Sequence, residues 1–386
     1  MAKVTSNNQG EKKLLCADPR YVTRLEDLNG LSDQEKFKLT QVTDKYDFRA
    51  NDYYLSLIDW NDPNDPIRNL IVPREHELED WGHLDPSGEQ EYTVMPGVEH
   101  KYDSTVLLLV SKACGGICRY CFRKRVFIYK DEEILQDLPA ALQYVREHPE
   151  ITNVLLTGGD PLLLNTNELR EIIDGLMQIE HVRIIRIGSK MPAFNPCRIL
   201  QDPDLLKLFE ETCTDTKQLY VVVHFDHERE ITEAAIRAIK AMRKTGAELA
   251  NQTPLIRGIN DDPDVLAALF QKLSFVGVPP YYVFQCRPAL GNRNYVVPIE
   301  QGYQIFEQAK VQVSGLAKRA RYTMSHASGK IEVVGLTDNH VYFKYHRAAN
   351  YVDSGRLLIF ERNQDAYWLD DYETPVFTGT STDCDQ

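Results

Sequence analysis

The stretch Leu108-Leu109-Val110-Ser111-Lys112-Ala113-Cys114-Gly115-Gly116-Ile117-Cys118-Arg119-Tyr120-Cys121-Phe122-Arg123-Lys124-Arg125 leads an apolar strand into a loop that carries three cysteines. Three soft thiolates at this spacing can hold three corners of an iron–sulfur cube and leave the fourth iron without a protein ligand. Two other readings stand beside it. Positions i, i+4 and i+7 also describe one helix face, where free cysteines are ordinary buried residues. Gly115 and Gly116 speak against that helix, because paired glycines disfavour it and permit a tight loop. Zinc held by the three cysteines and a histidine, His100 or His224, is the third reading.

Outward from this loop, between about residues 104 and 314, short apolar runs alternate with amphipathic stretches, the pattern of repeated βα units on a parallel sheet. Expected strands are Thr105–Ser111, Ile151–Thr157, Val182–Gly188, Gln218–His224, Ala247–Thr253 and Pro280–Gln285. Six units are too few for a closed eightfold barrel. The expected fold is therefore α/β, an open partial (βα)6 barrel over residues 104–336. A helical, loop-rich cap precedes it over 1–103, broken by Asp-rich turns at Asn61–Pro66. A small β-rich extension follows over 337–386, with runs at His340–Tyr345 and Arg356–Glu361 and a polar tail, Thr378–Gln386, expected to be disordered. The outer segments read as lids or oligomer contacts.

A chain of 386 residues with 43% hydrophobic content can bury a full core. Its net charge of −13 argues against a nucleic-acid partner, since phosphate backbones reward a basic surface. A polar N-terminus and the lack of any twenty-residue apolar run predict neither secretory signal nor membrane span, with the cytoplasm as the expected location. Eight irregularly spaced cysteines do not form a disulfide scaffold.

In a parallel barrel the loops after each strand meet at one mouth. Beyond the cysteine loop, the candidates there are Gly158, Gly159 and Asp160 in Thr157-Gly158-Gly159-Asp160-Pro161, Ser189 in Gly188-Ser189-Lys190, His224, and Gln252 in Asn251-Gln252-Thr253. Each taken alone also reads as a tight turn or a satisfied structural polar group.

The CxxxCxxC loop with Tyr120 before its last cysteine resembles that of the radical S-adenosylmethionine enzymes. The resemblance implies a 4Fe–4S cluster on Cys114, Cys118 and Cys121, with S-adenosylmethionine chelated by the open iron and cleaved on reduction to a 5′-deoxyadenosyl radical. Gly158-Gly159-Asp160-Pro161 resembles the family loop that contacts the methionyl amine.

Further stretches resemble the lysine 2,3-aminomutase-like branch: Met95-Pro96-Gly97-Val98, Ile187-Gly188-Ser189, Val223-His224-Phe225, Asn251-Gln252-Thr253, Arg257-Gly258-Ile259-Asn260-Asp261-Asp262-Pro263, Pro280-Tyr281-Tyr282, Ser314-Gly315-Leu316-Ala317 and Gly329-Lys330-Ile331. They run in order from roughly Pro66 to Gly335. The resemblance implies pyridoxal 5′-phosphate as a Schiff base on Lys330, in a radical isomerisation that moves an amino acid's α-amino group to C3. It further implies Gln252, Ser189 and His224 near the adenosyl or pyridoxal ligand, Arg123 on the substrate carboxylate, an external electron donor such as flavodoxin or ferredoxin, and a homo-oligomer. Without it, Lys330 reads as a solvated lysine entering a strand, and Lys124 and Arg125 as a basic face.

Two departures bear on the substrate. Lysine-specific members grip the distal ammonium with two aspartates, at whose places this chain has Arg287 and Thr323. A cation there disfavours lysine and favours a carboxylate. Glutamate is the expected substrate, with aspartate, a neutral polar amino acid or lysine as alternatives. Another radical reaction on an amino acid, or a cluster-binding regulator without turnover, belongs to the remaining readings. The C-terminal cysteine cluster that binds zinc in some lysine enzymes is missing, since only Cys384 lies there, and no structural zinc is expected.

Overall fold

Alternation along the strands decides which residues face the helices and which face inward, because successive side chains of a strand point to opposite sides. In a computed structural model that describes residues 18–128, 133–373 and 375–379, one sheet of thirteen strands organises the chain. The strands are β1 (Thr93–Met95), β2 (Val98–Tyr102), β3 (Thr105–Ser111), β4 (Asn153–Gly158), β5 (Ile184–Ser189), β6 (Gln218–Val223), β7 (Glu248–Leu255), β8 (Pro280–Gln285), β9 (Arg321–His326), β10 (Gly329–Leu336), β11 (His340–Ala348), β12 (Leu357–Glu361) and β13 (Phe377–Thr378). Each pairs only with its neighbours in chain order. The polar start up to residue 17 and the tail from 380 onward, with Cys384, lie outside the described residues.

Strands β3 to β9 run parallel, and the strands beyond either end join antiparallel. The fold is α/β, an open and incomplete barrel. It differs from the expected six units by one strand: β9 pairs parallel with β8, Tyr282 opposite Arg321 and Phe284 opposite Thr323. The charged run Lys318-Arg319-Ala320-Arg321 hides the start of that strand, although Tyr322 and Met324 are fully buried. The expected C-terminal runs form β11 and β12, hydrogen-bonded into the same sheet.

Helices cover the outer face. Val106 and Leu108 of β3, Val154 and Leu156 of β4, Ile185 and Ile187 of β5, and Leu219, Val221 and Val223 of β6 lie in one apolar cluster with Leu169, Ile173 and Leu176 of helix α1 (Thr166–Met177) and Ala235, Ile239 and Met242 of helix α2 (Glu233–Lys244). Burying each such side chain contributes roughly 1.5–3 kcal/mol before entropy is counted. Asp-Pro pairs start several helices. Asp65, Asp202 and Asp262 accept from backbone N–H groups in the first turn, and the following proline occupies a position whose N–H has no helical partner. The Asp-rich turns expected to break the cap thus also begin a helix, Pro66–Ile71.

The alternate residues point inward. Thr105 and Leu107 of β3, Leu155 and Thr157 of β4, Arg186 and Gly188 of β5, Val222 of β6 and Tyr282 and Phe284 of β8 line a cavity of about 440 Å³. No helix among the described residues is long and apolar enough to cross a membrane.

Candidate active site

The cysteine loop leaves the end of β3 and is pinned from the cap. Asn51 donates to the carbonyls of Gly115 and Phe194, Ile117 N–H donates to Arg49 O and Arg119 N–H donates to Leu70 O. Arg119 is fully buried and grips Glu77 with Nε at 3.0 Å and Nη2 at 2.8 Å, while Nη1 donates to Asp47 O at 2.9 Å. Behind the loop, Gly159 N–H donates to Ser111 O at 2.6 Å and Asp160 N–H to Ala113 O at 2.8 Å. A Cβ at Gly159 would lie 2.4 Å from Ala113 O, and Gly158 has φ +109°. The two glycines are therefore required by a close approach of backbone to backbone.

Cys114, Cys118 and Cys121 all line the cavity as free thiols. Burial raises each thiol's pKa, Cys118 to about 12, so a thiolate there needs a cation such as iron. Among the described residues no three His, Cys, Asp or Glu side chains close on a single-ion point. A cube asks for a different spacing, one thiolate per iron, from three soft donors on one wall with a fourth side left to the cavity. The donor set fits that cluster. His100, the first candidate for a zinc ligand, is instead bonded to Tyr144 and to the Asp103 carbonyl.

Gly158, Gly159, Asp160, Ser189, His224, Gln252, Arg123, Arg287 and Lys330 line the same cavity, as the sequence predicts for residues at one mouth. Their partners differ. Asp160 accepts from Ser189 Oγ at 2.7 Å and from the N–H groups of Leu162, Lys190 and Met191, so Ser189 positions the Gly-Gly-Asp turn. His224 Nε2 lies 2.8 Å from Asp226, a buried carboxylate that also accepts from Tyr120, Lys190 and Thr253. Burial opposes ionisation of Asp226, but His224 and Lys190 outweigh it and hold the carboxyl well below its usual range. Gln252 lies within β7, which continues through Pro254 to Leu255, and makes no side-chain hydrogen bond among the described residues. Its amide is left to the cavity.

Arg123 is not free. Glu89 takes its Nε and Nη2 at 3.0 Å each, and Nη1 donates to Thr157 Oγ1. The same carboxylate receives Arg125 at 2.7 Å and Arg287 at 3.4 Å. Burial alone would raise the Glu89 carboxyl, but the three guanidiniums hold it far below its usual range. Glu99, beside this cluster, is pushed up to about 8 by burial and by Glu89. Arg287 lies 3.5 Å over the Phe122 ring and acts electrostatically on both Cys121 and Lys330.

Thr323 is the exception among the expected substrate contacts. It is fully buried, its hydroxyl has no partner among the described residues, and it is absent from the cavity wall. Ser325, two residues nearer the end of β9 and so on the same strand face, reaches the wall instead.

Lys330 opens β10 next to Gly329, whose φ is +146° and whose Cβ would lie 2.5 Å from Arg347 O. Its Nζ lies 4.2 Å from the centre of the Tyr282 ring and makes no hydrogen bond or ion pair among the described residues. Burial and then Arg186, Arg347, Arg287 and Lys101 lower the amine to about 7. A neutral, unpartnered amine in a cavity is what attack on an aldehyde requires. Pyridoxal phosphate fits this wall: aromatic faces for a ring, cations for a phosphate, an amine for the carbonyl carbon.

The outer segments, expected as lids or oligomer contacts, also line the site. They supply Glu89, Glu99, Lys101 and Tyr102 from one side and His346 and Arg347 from the other. Ser87, Lys101 and Tyr92 donate in turn to the carbonyls of Ser325, His326 and Ala327, at 2.7, 2.5 and 3.0 Å, closing the open edge of the barrel onto the turn before Lys330.

Residues 108–269 match the model of the Radical SAM superfamily. A protein of Aquifex aeolicus (strain VF5) named "Putative L-lysine 2,3-aminomutase" is 52% identical over 92% of this chain and 95% of its own length. The L-lysine 2,3-aminomutase of Clostridium subterminale is 36% identical over 74% of this chain and 68% of its own. The glutamate 2,3-aminomutase of Clostridioides difficile (strain 630) is 34% identical over 74% and 67%. By these identities and coverages, the chain belongs to the lysine 2,3-aminomutase-like family of radical S-adenosylmethionine proteins.

Proposed function

We propose that the protein is a radical S-adenosylmethionine and pyridoxal phosphate-dependent amino-acid 2,3-aminomutase acting on glutamate or a similar acidic amino acid. The observation that carries this reading is one cavity shared by three cysteines and an unpartnered lysine. The cluster, S-adenosylmethionine and pyridoxal phosphate, when bound, supply radical generation and stabilisation. The chain's residues do the rest: Cys114, Cys118 and Cys121 hold iron, Lys330 anchors the pyridoxal, Gln252 and His224 contact the adenosyl or pyridoxal group, and apolar Phe122, Leu155, Val222 and Phe284 keep water from the reacting atoms. An external reductant such as flavodoxin or ferredoxin would deliver the electron.

Charge supports an acidic substrate. Burial and Glu89 push Glu99 up to about 8, Glu89 is already shared among three arginines, and Asp160 is taken up by Ser189 and three backbone N–H groups. Arg287, between the cysteines and Lys330, suits a distal carboxylate, and a lysyl ammonium finds no free acid beside it. Lysine is the second reading, favoured by the names of the two lysine relatives. Reconstituted enzyme should convert glutamate, followed by NMR of the β-isomer, at least tenfold faster than lysine, and Arg287→Asp should reverse that order. Turnover of lysine alone by the wild type would remove the acidic assignment and leave the aminomutase.

The lowered amine of Lys330 sets a pH dependence. Attachment of pyridoxal phosphate, trapped by borohydride, should rise with pH through a midpoint near 7. A midpoint above 9 contradicts an unprotonated lysine at neutrality. Since the folded chain releases this proton near pH 7 and the unfolded chain near 10.5, the unfolded state binds more protons in that window. The amine's penalty on stability is therefore full below pH 7 and fades as pH rises toward 10.5.

A further inference from the structure

Glu99 stands apart from the other acids around Arg123 and Arg125. It is buried in β2, paired with Thr93 of β1 and Leu107 of β3, so neither neighbouring strand puts a charge opposite it. The charges that face it are Asp85 and Glu89, ahead of β1, and Arg123 and Arg125, beyond the cysteines. Its carboxyl lies 3.9 Å from Arg123 Nη2 and 3.6 Å from Arg125 Nη2 on the cavity wall, yet makes no hydrogen bond among the described residues. Glu89 in contrast accepts from three guanidiniums, and Asp85 and Glu133 each take one nitrogen of Arg125. Lys101 feels Arg287, Glu89, Asp85 and Glu99, and so belongs to the same corner. Arg123, Arg125, Arg287 and Lys101 thus face the carboxylates of Asp85, Glu89 and Glu133. An ionised Glu99 makes this corner neutral, and a protonated one leaves it a positive charge in excess.

A protonated carboxyl offers what an ionised one cannot, an O–H donor. Burial and then Glu89 hold Glu99 in that form up to about pH 8, against the pull of Arg123 and Arg125. We propose that Glu99 is a substrate-binding residue that meets an incoming carboxylate as an O–H donor beside the arginines, so that an acidic ligand is bound together with a proton. The proposal rests on the reading of the cavity as the site of an acidic amino acid and adds the group that ties its affinity to pH. Below pH 8 the proton is already on Glu99. Above it, binding draws one from solvent onto the Glu99 carboxyl, where it stays while the ligand carboxylate accepts the hydrogen bond. An ionised Glu99 repels that carboxylate and competes with it for the same guanidiniums. Affinity for an anion is therefore full below about pH 8 and falls as pH rises through it.

Glutarate is the probe, because both its carboxylates stay ionised near and above neutrality and it has no amine to form an imine. It is titrated calorimetrically into anaerobic protein reconstituted with iron, sulfide and pyridoxal phosphate and left unreduced. Wild type should lose affinity about tenfold between about pH 7 and about pH 9, and at the upper end should take up about one proton per glutarate, read from buffers of unlike ionisation enthalpy. Glu99→Gln keeps an N–H donor but cannot titrate, so its affinity should change less than about threefold over that range, without proton uptake. An equal fall in Glu99→Gln would assign the effect to another group, such as Lys101, whose amine is lowered to about 8, and overturn the proposal. Lys101→Gln should keep both the fall and the uptake, and decides the matter if Glu99→Gln does not fold. Their loss in Lys101→Gln, or no glutarate binding to wild type at neutrality, overturns the proposal as well. Glutarate binding that tracks Glu99 while glutamate is not isomerised would support the role of Glu99 and remove the functional reading. Isomerisation of glutamate beside glutarate binding that is flat with pH in wild type would do the reverse.

Discussion

Replacing Cys118 with serine is expected to strip the iron from anaerobically reconstituted protein, from about four atoms per chain to fewer than one, and to lower 5′-deoxyadenosine formation with dithionite by at least about a thousandfold. A hydroxyl is a hard, weak ligand for this iron, and the loop itself supplies just three thiols to the cavity wall. Of the other described cysteines, Cys197 and Cys213 are not among the cavity-lining residues, and Cys286 reaches the wall from the end of β8, outside the loop that carries the three. Serine is close to cysteine in size, so the apo variant should unfold in urea within about 1 kcal/mol of the apo wild type. Retained iron and sulfide in the variant would mean that Cys118 is not a ligand.

Glu77→Ala is expected to destabilise the apo protein by about 3–5 kcal/mol, because it leaves the Arg119 guanidinium buried without its counter-charge. The pair is closed to water, with side-chain exposures of 0% for Glu77 and 1% for Arg119. Lys124 lies 4.0 Å from the same carboxylate and would lose that partner too. Arg119 sits between Cys118 and Tyr120, so the loop that carries the cysteines should loosen and release iron faster even where the fold survives. The paired change Glu77→Leu with Arg119→Met removes both charges and should recover part of the loss, since a buried pair replaced by apolar groups of similar volume often costs little. A single-variant loss below about 1 kcal/mol in urea melts would show that water reaches the pair.

What is legible in the sequence follows the range of the forces involved. Strands β3 and β8 begin and end at the expected residues, because each is a short apolar or aromatic run written locally, Thr-Val-Leu-Leu-Leu-Val-Ser and Pro-Tyr-Tyr-Val-Phe-Gln. The mouth residues were legible for the same reason, each following its own strand. Gln252 is expected around the end of a strand that closes at Thr253. In the sheet Pro254 stands opposite Phe284 and the strand continues. Thr323 shows the limit of counting along a resemblance, for a position can match while its side chain is buried and not among the cavity-lining residues. Glu89 and Arg347 were invisible because nothing local marks them: one meets Arg123 across 34 residues, the other reaches Ser104 across 243. Charge in an outer segment reads as a solvated face until the sheet is known to curl and bring its two ends together.

The cysteines and Lys330 are held to act on one amino acid, and isotope transfer tests that most directly. An amino-acid substrate deuterated at its β-carbon, glutamate first and aspartate and lysine in parallel, is incubated anaerobically with reductant, S-adenosylmethionine and pyridoxal phosphate, and 5′-deoxyadenosine is analysed by mass. Deuterium in the 5′-deoxyadenosine from wild type, lost in Lys330→Ala, is expected for the accepted amino acid. Isomerised product beside unlabelled 5′-deoxyadenosine, or label that persists without Lys330, would contradict it.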